Sequence, residues 1–297
     1  MEERLARYLI SVVEQGSFTR AAEKLHVSQP ALSQQIRHLE ERLGVKLLDR
    51  SGKTVVATDI GKAYIGHAAR ALREFDAGKR AVHDVRNLDR GDLRLAFTPT
   101  FATYLIGPLT HLFLSTYPNI TMTVDVLAQM DIEAGLMHDR FDLGIAPSHP
   151  ESAEISGTSV GEEHLNCVVS PDHPCADLLS INSEVLSTLK LALFDRSFAT
   201  RLFIDKHFRA NRLQAKISVE SNSLEALMSL VSYGVYATIL PAFAGNRIAG
   251  TRSIPLSPAI ATRPICLLKR ADGYHSFASI AFEQMFNSTD WALPSTK

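Results

Sequence analysis

Residues 17–43 restrict this chain's fold more than any other stretch. Two adjacent alanines, Ala21 and Ala22, lie in a short helical pattern whose apolar positions Phe18, Ala21, Ala22 and Leu25 follow i, i+3, i+4, i+7 spacing. Side chains this small let a second helix cross close by at a steep angle. His26-Val27 forms the turn, with Val27 as its apolar plug. Ser28 suits an N-cap, and Pro30 falls in the first turn of the next helix, where its missing N–H costs nothing. Leu32, Ile36, Leu39 and Leu43 continue at helical spacing and are expected to face inward. Gln29, Ser33, Gln34 and Arg37 are left on the outer face. Amides match adenine edges, a hydroxyl matches either base, and a guanidinium matches guanine or phosphate. An ordinary solvated corner would share the apolar pattern. The alanine pair, the capped turn and the proline, all in register, favour a pair of helices that reads a DNA groove.

The flanks fit that reading. Residues 3–15 form a first helix with Leu5, Tyr8, Leu9, Val12 and Val13 on one side, ended by Gly16. After the motif, Val45-Lys46-Leu47-Leu48 and Thr54-Val55-Val56-Ala57 read as two short strands around the basic turn Arg50-Ser51-Gly52-Lys53. Such a wing lies along or enters the minor groove, with Arg50 as a phosphate contact. Gly52-Lys53-Thr54 imitates the end of a phosphate-binding loop, but the glycine that loop needs falls on Leu47. From Thr58-Asp59 a helix is expected to run to Leu88, roughly 45 Å long. Its stripe of Tyr64, Ala68, Ala71, Phe75, Gly78, Val82 and Val85 alternates gaps of four and three, the spacing of a coiled-coil seam. With no apolar partner nearby in sequence, the seam points to a second copy of the chain, and a two-fold protein can read two half-sites on one duplex.

Beyond a polar hinge at residues 87–92, strand and helix patterns alternate. Strands are expected at 93–97, 120–126 and 142–146, with helices at 102–116 and 130–138. A second set places strands near 164–170, 190–194, 216–220 and 236–240, and helices near 200–210 and 223–233. A strand at 263–269 and a helix at 275–287 return to the first set. This rhythm predicts an α/β body with mainly parallel sheets. Ligands of open α/β sheets gather beyond the carboxyl ends of strands. Thr98 and Thr100 lie where the first strand feeds a helix, and Thr200 lies at a similar junction in the second set. Two helix N-termini facing one another, with hydroxyls beside them, would hold a small anion. Gln129, after the second strand, is a further donor. For any one threonine alone, capping is the simpler role.

Residues 1–60 resemble the winged helix-turn-helix of the LysR-type transcriptional regulators, on Ala21-Ala22, Leu25, Val27-Ser28-Gln29-Pro30, Ser33, Ile36, Leu39-Glu40 and Leu43-Gly44. The likeness extends over the rest of the chain and its length. Within the family, residues 78–85, 98–101, 106–109 and 198–201 are similar to regulators of cyanate operons. The resemblance implies a winged helix-turn-helix DNA-binding domain (1–58), a linker and dimerisation helix (59–88), and an effector domain (92–297) like a periplasmic binding protein. In that domain, subdomain I would hold about 92–161 and 267–297, and subdomain II about 162–266. It also implies DNA contacts from Ser28, Gln29, Pro30, Ser33, Gln34, Arg37 and Arg50, with Lys53 as the wing-tip cation. The expected effector is a small anion such as cyanate, held by Thr98, Thr100, Gln129 and Thr200. Expected partners are double-stranded operator DNA, RNA polymerase, and further copies in a homodimer or homotetramer; the protein would activate a divergent operon and repress its own gene.

Composition narrows the alternatives. A chain of 297 residues, 45% hydrophobic and 21% charged, has the makeup of a globular protein of two or three domains. The start, Met1-Glu2-Glu3-Arg4, has no apolar run of a secretory signal, and no stretch approaches membrane-spanning length. Three cysteines fit a reducing cytoplasm better than a disulfide framework. Residues 1–90 hold 16 Lys and Arg against 12 Asp and Glu, and the remainder holds 15 against 20. A basic head on an acidic body suits a nucleic-acid head whose body stays off the phosphates. No nucleophile elbow or dinucleotide loop is present, so catalysis, and with it a cofactor, is not expected. His164, Cys167, His173 and Cys175 cluster in sequence but match no zinc spacing, so no metal is expected. Two other classes compete. One is a redox sensor pairing Cys167 with an exposed Cys175; the other is a small-molecule-binding protein with no DNA function.

Overall fold

The computed structural model describes residues 2–86 and 91–289. The chain divides into two compact units, residues 1–83 and 84–297.

The first unit begins with α1 (Glu2–Gln15), α2 (Phe18–Lys24) and α3 (Gln29–Leu43), followed by a ribbon of β1 (Leu48–Asp49) and β2 (Val56–Ala57) and by α4 (Asp59–Arg86). Leu5, Leu9, Val12, Ala21, Ala22, Leu32, Ile36, Leu39, Leu47 and Leu48 form one buried cluster. Leu43, expected to face inward, is 42% exposed. It ends α3 beside Gly44, whose φ of +69° turns the chain away before a core partner is reached. The wing strands are shorter than the pattern predicts, because Val45 and Val55 pack on the core without pairing across the ribbon.

The second unit holds two five-stranded sheets. The chain runs through β3 (Gly91–Phe97), α5 (Pro99–Ala102), α6 (Ile106–Thr116), β4 (Ile120–Val126), α7 (Gln129–Met137), β5 (Leu143–Ala146) and β6 (Ile155–Glu163). It continues through β7 (Leu165–Val169), β8 (Ile181–Asn182), α8 (Ser183–Thr188), β9 (Lys190–Phe194), α9 (Ala199–Ala210), β10 (Lys216–Ser221), α10 (Leu224–Val231), β11 (Tyr236–Pro241), α11 (Ala242–Arg247), β12 (Arg252–Ile254) and β13 (Leu256–Ser257). Finally β14 (Arg263–Arg270) and α12 (Phe277–Ser288) close the unit. The sheet orders are β4-β3-β5-β14-β6 and β10-β9-β11-β7-β12. Strands β5 and β7 are buried at every residue and are apolar but for Asn166, whereas β10, at an edge, alternates in exposure.

The expectation of mainly parallel sheets needs correction. β3 pairs in parallel with β4 and β5, and β9 with β10 and β11; β14 pairs antiparallel with β5 and β6, and β7 with β11 and β12. Two strands that the patterns missed, β6 and β12, supply antiparallel pairings, and β6 is the longer. Its sequence, with Gly157, Gly161 and three serines or threonines, has little intrinsic strand preference. It forms because β14 pairs with it from Arg263↔Glu163 to Arg270↔Ile155. The expected helix at 102–116 is likewise split into α5 and α6. The chain passes between the two sheets after Glu163 and again before Arg263, so those paired residues stand at both crossovers.

Candidate nucleic-acid interface and ligand cleft

Each helix of the α2–α3 pair starts on a serine. Ser17 Oγ accepts from Arg20 N–H and Ser28 Oγ accepts from Ala31 N–H, both at 3.4 Å. His26 takes a positive φ of +55° in the turn, and Val27 N–H donates to Ala22 O at 3.0 Å. With Leu32, Ile36 and Leu39 committed to the core, α3 turns Gln29, Pro30, Gln34 and Arg37 outward and leaves Ser33 half-buried. Among the described residues nothing hydrogen-bonds to the side chain of Gln29, Gln34 or Arg37, and all three are exposed, so their donors and acceptors face solvent.

The wing is held by a residue that sequence reasoning passed over. Glu40 is almost fully buried, and its carboxylate accepts from Leu47 N–H (2.9 Å) and Leu48 N–H (3.1 Å). Arg50 donates to the same carboxylate at 3.0 Å and lies over the Phe18 ring, 4.9 Å from its centroid. Arg50, expected to contact a phosphate, thus has part of its guanidinium engaged by Glu40. Lys53 stays exposed at the turn. Beside the wing, Thr58 Oγ1 accepts from Gly61 N–H and donates to Lys46 O. A Cβ on Gly61 would stand 2.0 Å from Leu47 O, so only glycine lets α4 approach the wing this closely.

Helix α4 has two faces. Tyr64 and Ile65 pack on the core of the first unit, Leu72 and Ala77 are buried, and Arg7 donates to Asp76 at 2.7 Å. Tyr64 therefore turns inward, away from the expected seam. Ile60, Phe75 and Val82 are 57%, 56% and 57% exposed, a row of large apolar side chains facing solvent. The side chain of Val85 and the hinge residues 87–90 lie outside the described residues.

In the second unit, Thr100 and Thr200 come from different sheets and meet on one side chain. Arg263, fully buried, donates from Nη2 to Thr100 Oγ1 (3.0 Å) and from Nη1 to Thr200 Oγ1 (2.7 Å). Its Nε and Nη2 both reach Glu163 Oε1, at 2.6 and 2.5 Å, and Tyr104 donates its hydroxyl to Glu163 Oε2 at 2.5 Å. The guanidinium lies 5.5 Å from the centroid of Phe101. Burial pushes the Glu163 carboxyl up, against the opposing pull of Arg263. The same burial, together with the neighbouring carboxylate, raises the Tyr104 phenol well above its ordinary range. Neither threonine is a cap. Phe198 occupies the N-cap position of α9, and Thr98, at the N-cap of α5, makes no capping bond. The Thr98 hydroxyl is buried with no partner among the described residues. Nearby, a recess of about 480 Å³ opens between Pro99, Thr103 and Val126 on one side and Asn222, Ser223 and Glu225 on the other.

Gln129 departs from expectation. Its amide nitrogen lies within bonding distance of Glu133 Oε1, Ser148 O and His149 O, and its oxygen accepts from Ser148 Oγ. It clamps the loop after β5 and has no donor to spare. Sequence reasoning also missed Arg263, Glu163 and Tyr104. Charged residues flanking an apolar strand read as solvated ends, and only the crossover buries them.

Cys167, Cys175 and Cys266 are free thiols, and Cys175, which the redox reading needs exposed, is buried. Burial pushes the Cys167 thiol up to about 12 and raises Cys175 as well, the opposite of a reactive thiol. Among the described residues no group of three His, Cys, Asp or Glu could hold a metal, and no helix is long and apolar enough to cross a membrane.

Residues 4–62 match the family described as bacterial regulatory helix-turn-helix protein, lysR family, and residues 86–290 match the LysR substrate binding domain. The chain is 30% identical over 291 residues to a "Probable RuBisCO transcriptional regulator" of Cyanidioschyzon merolae, covering 95% of this chain and 96% of that protein. It is 31% identical over 251 residues to the nitrogen assimilation regulatory protein nac of Escherichia coli (strain K12), covering 84% and 81%. Neither relative is named for a cyanate operon. Full-length CbnR complexed with its target DNA superposes with a TM-score of 0.65 at 24% identity, covering 96% of this chain and 98% of that one. A full-length OxyR variant from Pseudomonas aeruginosa does so with a TM-score of 0.70 at 24% identity, covering 100% and 98%. At that identity the likeness carries the fold.

Proposed function

The chain belongs to the lysR family of DNA-binding transcriptional regulators with an effector-binding domain, and from that premise we propose how its residues divide the work. Helix α3 enters a major groove of operator DNA. Gln29, Ser33, Gln34 and Arg37 meet base edges and phosphates there, while the α3 N-terminus at Ser28 and Pro30 lies against the backbone. Lys53 follows the adjacent backbone, and Arg50 shapes the wing while offering its remaining N–H groups. The observation that carries this reading is the division of α3: one side is sealed in the core, and on the other the amide and guanidinium groups are unengaged. Measuring binding to the DNA flanking its own gene, with Arg37→Ala as control, tests it. Equal affinity of the two proteins for that DNA would mean the helix is aimed elsewhere.

Two copies pair through the exposed row on α4, as a homodimer or two such pairs in a tetramer, and act in the cytoplasm with RNA polymerase to activate an adjacent operon. The effector is a small anion, of which cyanate is the instance that residues 98–101 and 198–201 resemble. Support comes from Thr100 and Thr200, two buried hydroxyls on one guanidinium at the boundary between the sheets, and from Thr98, whose buried hydroxyl has no partner among the described residues. The effector shifts the protein only if it prefers one arrangement of the sheets over the other. Calorimetry against cyanate, azide, chloride and small carboxylates, repeated on Thr100→Val/Thr200→Val, tests this half; unchanged uptake by the variant would move the site. No observation favours a redox switch, since Cys167 and Cys175 are buried, unactivated thiols.

A further inference from the structure

The hydrogen-bonding groups around Arg263 do not balance. The guanidinium has five N–H groups. Two point at Glu163, one at Thr100 and one at Thr200, which leaves one on Nη1. Thr100 and Thr200 each accept from Arg263, and no acceptor among the described residues takes the hydrogen of either hydroxyl. The hydroxyl of Thr98 has no hydrogen-bond partner among the described residues. Three donor hydrogens, one each on Arg263, Thr100 and Thr200, thus lack acceptors at side chains that are 0%, 2% and 4% exposed, and Thr98, two residues from Thr100 in the chain and 5% exposed, has a fourth. Buried polar groups left in this state are rare, and a species that only accepts would satisfy all of them.

A second constraint is charge. Arg263 and Glu163 are both 0% exposed and neutralise one another. A monovalent anion added beside them would leave one uncompensated negative charge in the interior, where such a charge is strongly disfavoured. Arg263 cannot adjust, because a guanidinium stays protonated. Tyr104, from the segment after α5, already donates to Glu163. Among the described residues, the groups facing the Glu163 carboxylate are Arg263 from β14 and Tyr104; Phe243 of α11 meets the Tyr104 ring, and Thr200 of α9 meets Arg263. The carboxylate itself is the one group that can change charge.

Resting on the effector reading above, we propose that the anion enters as a third member of the Arg263–Glu163 pair and that Glu163 takes up one proton from solvent as it binds. The site then holds the anion together with its proton, the equivalent of the neutral weak acid. The raised carboxyl of Glu163 lies in the direction this requires. The tight surroundings restrict the ligand to a few atoms, so the class is the conjugate bases of small weak acids, such as azide, formate or cyanate.

The experiment is calorimetry of the full chain with sodium azide and with sodium formate between pH 6 and 8, in buffers of different ionisation enthalpy. The expected result is uptake of one proton per anion and an affinity that falls about tenfold per unit rise in pH. Glu163→Gln, which carries the neutral form permanently, is expected to bind anions with a flat pH profile and no proton uptake. Anion uptake by the native chain with no accompanying proton, or a pH dependence that persists in Glu163→Gln, overturns the proposal and leaves the effector site standing. Failure to take up any anion overturns both. The proton count on the native chain decides the matter even if the variant does not fold.

Discussion

Arg50 and Glu40 meet at 3.0 Å beneath the wing, and the carboxylate that receives the guanidinium also receives the backbone N–H groups of Leu47 and Leu48. One buried side chain of α3 thereby sets the position of the wing's first strand relative to the helix proposed to enter the groove. Two surfaces that must touch one duplex together are coupled through Glu40.

Replacing Glu40 with Ala is expected to destabilise the first unit by about 3 kcal/mol, since it strands two buried N–H groups and releases Arg50. Chemical denaturation of the full chain measures this. A loss under about 0.5 kcal/mol, the range of an unremarkable surface change, would show that water replaces the carboxylate without cost.

Gly61→Ala tests the close approach of α4 to the wing. A methyl group placed 2.0 Å from Leu47 O forces the two apart, and overpacking of this kind costs about 1–3 kcal/mol. Both stability and operator affinity are expected to fall, because the wing moves with Leu47.

On α3, Gln29→Ala and Arg37→Ala should each weaken operator binding by about 1–3 kcal/mol if they meet base edges. Stability should not change, as both residues are exposed. Lys53→Ala should instead lower affinity uniformly across DNA sequences and reduce the salt slope by about one. Fluorescence anisotropy across a salt series separates the two kinds of contact.

Phe75→Glu and Val82→Glu address the exposed row of α4. These side chains are more than half exposed in the single chain, so neither change should affect the fold of the first unit. Each copy would lose about 2 kcal/mol of apolar burial at the seam. Sedimentation should show dissociation at concentrations where the native chain stays associated.

Acid should weaken the second unit through His173, His207 and His275, whose imidazoles burial holds below their ordinary range. The sign follows from proton binding: below about pH 6.5 the unfolded chain takes up protons that the folded chain refuses, so stability falls as pH falls through that window. His173 Nδ1 accepts from Cys175 N–H at 3.1 Å, a bond the protonated ring cannot make. Thermal melts between pH 7.5 and 5 check this, and His173→Gln should flatten part of the slope.

The sequence by itself determined the three-helix start of the first unit and most of the alternation of strands and helices in the second. These depend on neighbours in the chain: the Ala21–Ala22 contact, the serine caps, the apolar periods of α1 and α3, and the buried runs of β5 and β7. It also placed Thr100 and Thr200 at the points where strands feed helices. Tertiary structure alone decided what those threonines face, because Arg263 lies 63 residues from Thr200 and 163 from Thr100. It likewise decided the antiparallel half of each sheet, since a strand as weak in preference as β6 takes its conformation from the partner that pairs with it. Short-range patterns record which face of an element is apolar; they carry no record of which distant charge that face will bury.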